Sequence, residues 1–211
     1  MTWAPALVGA LAALLPWTWR PGRHVVTLVH EAGHALAAVL TGRRLDGIRL
    51  HRDTSGLTTS IGRPRGPGMV LTALAGYLAP SALGLAALWL QSTGRTAWAL
   101  WLALGIVAAM VVFIRNWFGL LIVALAGAAV AVLVWRSAET TQAVAVQAAA
   151  AFLLVGGPRT CVELWPARRR SRARTSDADV LARLTHVPAA VWNVLFVVLT
   201  TVALWPAWQL L

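Results

Sequence analysis

His30 and His34, in the run His30-Glu31-Ala32-Gly33-His34, are the residues of this chain best suited to do chemistry. On a helix, side chains four apart share one face, so both imidazoles point the same way and can hold one Zn²⁺. Glu31 stands one position on, near enough to take a proton from an attacking water without being a ligand. The segment around them, residues 24–41, is otherwise mostly apolar. An ionised group at membrane depth costs about 2.5–3.5 kcal/mol on insertion scales, so such groups are kept there with a partner or a task. Two helix-packed histidines met by chance would not account for that placement.

Catalytic zinc usually takes three protein ligands and leaves one position open. The acids downstream are Asp46, Asp53, Glu139, Glu163, Asp177 and Asp179. Asp177 and Asp179 open a short helical pattern, with Ser176 as N-cap and Val180, Leu181 and Leu184 on one face. Helix capping alone would also explain both aspartates. Asp177 leads as third ligand, with Asp179 and Glu163 the alternatives. Asn116, in the Arg115-Asn116 break between two apolar stretches, is the candidate substrate-binding residue, a donor to substrate or to a developing oxyanion. A tight turn with an arginine anchor is its plainer explanation.

The elements that must position these residues are membrane spans. A mean hydropathy of +0.71 lies far above that of a soluble domain and implies an integral membrane protein. Each crossing needs about 20 apolar residues. Seven segments qualify: 3–19, 24–41, 69–90, 96–114, 117–135, 142–157 and 187–210. Tryptophans such as Trp3, Trp19, Trp89, Trp117 and Trp135 stand at or near their ends, as in an aromatic belt. All 18 basic residues are arginines, and they lie between the apolar segments. That is a topology pattern rather than a nucleic-acid face, so no nucleic-acid partner is expected. With seven spans, one side receives Arg43, Arg44, Arg49, Arg52, Arg63, Arg65, Arg115, Arg159, the cluster Arg168–Arg174 and Arg183, and the other only Arg20, Arg23, Arg95 and Arg136. The first side should be cytoplasmic, which puts the N-terminus in the cytoplasm. His34 then lies about 10 Å from the cytoplasmic end of its helix, so the site should open toward the cytoplasm. Glu139 falls on the external side. Cys161 is the single cysteine, so no intrachain disulfide forms.

Between the motif and the next span, Ile48 and Leu50 alternate with polar neighbours, as do Leu57, Thr59 and Ile61. Asp53-Thr54-Ser55-Gly56 between them is turn chemistry, which predicts a β-hairpin. An exposed strand edge beside the metal could hold a substrate backbone extended. A protease needs this, because a helical peptide hides its carbonyls. The expected fold is therefore an all-α polytopic membrane protein of about seven transmembrane helices with a small β-hairpin after the motif helix. It forms one domain over residues 1–211, with a hairpin loop at 42–68 and a basic cytoplasmic loop at 158–186.

These residues, taken in order, resemble the site-2 protease-like intramembrane zinc metallopeptidases, in a small bacterial branch. The resemblance runs through His30-Glu31-Ala32-Gly33-His34, Thr41-Gly42-Arg43-Arg44, the hairpin with Ser55-Gly56, Ala75-Gly76-Tyr77, Arg115-Asn116 and Ser176-Asp177-Ala178. It implies that His30 and His34 bind Zn²⁺, that Glu31 is the general base, and that a membrane-anchored protein is cleaved in or near its transmembrane segment. The better-known members carry their third ligand in an Asn-Pro-x-x-Asp-Gly stretch, which this chain lacks; Asp177 matches by position. The competing expectations are an inactive membrane binding protein of the same fold, a metalloprotease using Glu163, and a transporter. The last lacks support, because no internal repeat or paired broken span is present.

Overall fold

The computed structural model describes residues 2–170 and 175–211; Arg172 and Arg174, part of the expected basic cluster, lie outside the described residues. The elements run α1 (Ala4–Leu14), α2 (Pro16–Leu40), β1 (Arg44–Leu50), β2 (Gly56–Ile61), α3 (Pro67–Ser92), α4 (Thr96–Phe113), α5 (Trp117–Arg136), α6 (Glu139–Arg170), α7 (Asp177–Thr185), α8 (Ala189–Val202) and α9 (Leu204–Leu210). Among the described residues, five stretches are long and apolar enough to cross a membrane: α3, α4, α5, most of α6, and α8 with α9. The chain is a multi-pass membrane protein.

Two of the seven expected spans do not qualify. The segment 3–19 is divided at Leu15, whose backbone is extended (φ −76°, ψ 131°). The following Pro16 disfavours a helical conformation there. The 11 residues of α1 cover about 16 Å, well short of a hydrocarbon core of about 30 Å. The motif helix α2 is longer than expected, 25 residues from Pro16. Its histidines, arginines and glutamate keep it outside the set of candidate spans.

α3 is the central helix and packs against both α2 and α6. The contacts use small residues, which let helices approach where lipid offers no hydrophobic drive. A Cβ at Gly33 would come within 2.8 Å of the Ala75 carbonyl, and one at Gly84 within 2.7 Å of the Ala150 carbonyl. α1 runs beside α6, with Gly9 against Ala148. α5 buries only Gly119 and Val123 and exposes leucines, valines and tryptophans, as a lipid-facing helix does.

Trp19 departs from the expected belt. It is buried, and its Nε1–H donates to Glu163 Oε1 at 2.9 Å. The same carboxylate receives Arg159 Nε at 3.0 Å and lies 3.2 Å from Arg23 Nη1. Arg23 and Arg159, assigned by the arginine distribution to opposite sides, therefore share one level. Both lie inside helices longer than the expected spans: α2 begins at Pro16, and α6 runs on to Arg170 where a loop was expected from residue 158, so neither arginine marks a membrane side.

The hairpin forms as expected. β1 and β2 pair antiparallel from Arg44 opposite Ile61 to Leu50 opposite Gly56, with an irregularity between Leu45 and Gly47. Ile48 and Leu50 are fully buried, packed with Leu28 of α2, Val107 and Met110 of α4 and Val123 of α5. At the tip, Asp53 accepts from the Ser55 N–H and hydroxyl. These bonds hold its carboxyl below the usual carboxylate range. Thr54 takes a left-handed φ of 68°, unusual for a β-branched residue. Its carbonyl is held by the Thr27 hydroxyl of α2 at 2.8 Å.

Candidate metal centre

His30 and His34 lie on the face of α2 that meets α3, and Asp177 is the first residue of α7. His34 Nε2 is 3.0 Å from His30 Nε2, and both are 3.2 Å from Asp177 Oδ2. The three atoms form a near-equilateral triangle. Ligand atoms about 2.0–2.1 Å from a tetrahedral zinc stand about 3.3 Å apart, so the spacing fits a shared ion. The tautomer fits as well. His34 Nδ1–H donates to the Thr72 carbonyl of α3 at 2.7 Å, which leaves the Nε2 lone pair aimed at the other two atoms. A lone pair directed at a carboxylate oxygen is repulsive until a cation or proton lies between them. This group could hold a metal ion.

Close approach of α3 makes the geometry possible. Gly76 lies against both rings, and a Cβ there would stand 2.7 Å from His30 Cε1 and nearer still to His34. Tyr77 packs edge-on against His30, centroids 4.7 Å apart, and rests on Phe196 of α8.

Asp177 is delivered by a capped helix start. Ser176 and Asp179 form a reciprocal capping box, the Ser176 side chain accepting from the Asp179 N–H and the Asp179 carboxylate accepting from the Ser176 N–H. Asp179 is also tied to Arg168 near the end of α6, Nη2 to Oδ1 2.8 Å. Burial pushes its carboxyl up, but the Arg168 and Ser176 hydrogen bonds outweigh this and hold it below the usual range.

Of the three acids considered for the third position, only Asp177 stands with the imidazoles. Asp179 faces Arg168, and Glu163 is held by Trp19, Arg159 and Arg23. Asn116 stands apart from the group. Its Nδ2 donates to the Leu50 carbonyl (2.7 Å) and its Oδ1 accepts from the Leu50 N–H (3.2 Å). With Ile114 bridged to Ile48 and Arg115 N–H donating to the Ile48 carbonyl, it covers the outer edge of β1. Among the described residues no strand pairs with the outer edge of β2.

Glu31 is 3% exposed and points to the hairpin: Thr58 Oγ1 donates to its Oε2 at 2.6 Å. The ligand group, Glu31 and β2 all line one cavity of about 590 Å³, which Arg23 and Glu163 also border. That volume suits a peptide segment or small ligand. Sequence reasoning passed over Thr58 and the Thr72 carbonyl. A threonine on a strand and a backbone oxygen carry no signal of their partners.

Comparison with curated proteins gives no match, nor does comparison with solved structures. The model of one family, described as Peptidase M50B-like, matches residues 3–207, almost the whole chain, including His30, His34 and Asp177. With its apolar helices and its His-Glu-x-x-His helix set against an aspartate, the chain belongs to the Peptidase M50B-like family, that of the site-2 proteases, which are membrane metallopeptidases.

Proposed function

We propose that this protein is an intramembrane zinc endopeptidase that hydrolyses a peptide bond in or near the transmembrane segment of a membrane-anchored protein. The observation that carries the proposal is the triangle of His30 Nε2, His34 Nε2 and Asp177 Oδ2 one residue from a buried glutamate. His30, His34 and Asp177 would hold Zn²⁺, which when bound supplies Lewis-acid polarisation of the scissile carbonyl and lowers the pKa of water. Glu31 takes the proton of the attacking water on its carboxylate. It then delivers that proton to the leaving nitrogen, which breaks the C–N bond and frees the amine. The outer edge of β2 is the strand edge still open for an extended substrate, which adds its backbone there and exposes its carbonyls. Asn116, engaged with β1, supports this indirectly by keeping the hairpin in place. The remaining arginine distribution supports a site opening toward the cytoplasm.

The test is metal analysis of the purified protein beside His34→Ala and Glu31→Gln. The expected result is about one zinc per chain in wild type, loss in His34→Ala, and retention in Glu31→Gln with turnover down by about 10²–10⁴-fold. Wild type without zinc, or Glu31→Gln with full turnover, would sink the proposal.

A further inference from the structure

Gly56 and Thr58 are alternate residues of β2 and so share one face of the strand. That face meets α2 at Glu31. The Thr58 hydroxyl donates its one proton to Glu31 Oε2 at 2.6 Å and lies 3.3 Å from the Glu31 carbonyl oxygen, so the side chain sits over both the carboxylate and its backbone. At Gly56 a Cβ would stand 2.7 Å from the Glu31 Cδ and Cγ, with Oε1 closer still. The placement of the carboxylate is therefore set by the hairpin as much as by the helix that carries it.

Building on the peptidase reading, we propose that Thr58 is a positioning residue for the base and that Gly56 keeps the second carboxylate oxygen clear. The Thr58 O–H occupies Oε2 throughout and keeps its own proton. Oε1 is left to take the proton from water and pass it to the departing amine. Because the same strand offers its outer edge to substrate, a peptide paired with β2 lies in register with the base. Hairpin and base form one unit.

The test compares Thr58→Val, Thr58→Ser and wild type, zinc-loaded in detergent, with β-casein as an unfolded polypeptide substrate. Thr58→Val should lower kcat by about 10–100-fold, the scale of a misplaced catalytic group, with KM and zinc content unchanged. Thr58→Ser should restore most of the loss. A second measurement needs no turnover: the infrared carboxylate band of Glu31, isolated by difference against each protein's Glu31→Gln counterpart, should shift in Thr58→Val and return in Thr58→Ser. An unmoved band or unchanged kcat in Thr58→Val overturns the positioning role, as does Thr58→Ser failing to rescue. Failure of the peptidase reading looks different: wild type itself then holds no zinc and leaves casein intact, whatever the band does.

Discussion

Two imidazole nitrogens and a carboxylate oxygen within 3.2 Å of one another make a site whose occupancy is decided by very small displacements. Gly76 sets the limit on one side. Its missing side chain is the space the rings of His30 and His34 occupy. Gly76→Ala should therefore push the rings apart and weaken zinc binding by about 10–100-fold, the range found when the support of metal ligands is altered. Zinc titration against a chelator of known affinity measures it. A variant with wild-type affinity would show that α3 can retreat, and that the close approach is not what orients the ligands.

At the scale of elements, α7 carries the third member of the triangle, and its start is held by charge. Arg168 and Asp179 form a largely buried pair, so removing either partner leaves an uncompensated charge at a cost of about 3–5 kcal/mol. The pH dependence follows from Asp179, whose carboxyl sits below its ordinary value. A depressed carboxylate contributes stability that is complete above the unfolded pKa of about 3.9 and drains away as pH falls through the lower folded value. The difference in melting temperature between wild type and Asp179→Asn should be large at pH 6 and narrow progressively as pH falls below about 4. A difference that does not change with pH would mean the pair is not what docks α7. The strand edge follows the same logic of committed groups. Asn116 reads in sequence as a free amide near a membrane break, yet both ends of its amide are taken by Leu50. Its type suggested a role toward substrate; which partner it met depended on where β1 lay.

For the whole molecule, five stretches among the described residues are of crossing length, and the motif helix, packed mainly against α3, is itself too polar to count among them. Arg23 and Arg159 meet on Glu163, so those two arginines cancel in any argument about sides. Arg43, Arg63, Arg65 and Arg168 still outnumber Arg95 and Arg136, and by the positive-inside rule this is what supports the proposal that the hairpin end of the site faces the cytoplasm. Single cysteines placed at Arg65 and at Arg95, in a Cys161→Ser background, should be labelled by a membrane-impermeant maleimide from opposite sides of sealed vesicles. Labelling of both from one side would mean that α3 does not cross the membrane.

Local patterns are legible without a structure because their physics is local. The four-residue spacing of His30 and His34, the alternation and turn residues of the hairpin, and the Ser176 cap each act within a few residues along the chain. Span boundaries failed where two local rules met: apolar content favoured one segment over 3–19, while Pro16 broke it at Leu15. What lies far apart in sequence was settled only by packing. In the chain Asp177 leads Asp179 and Glu163 only narrowly, and packing separates them: Arg168 holds Asp179, and Arg23, Arg159 and Trp19 hold Glu163. Thr58 met Glu31 across 27 residues because β2 folds back onto α2. Residue type and short-range spacing fix what a group can do; only the close approach of helices and strand decides which group is left free to do it.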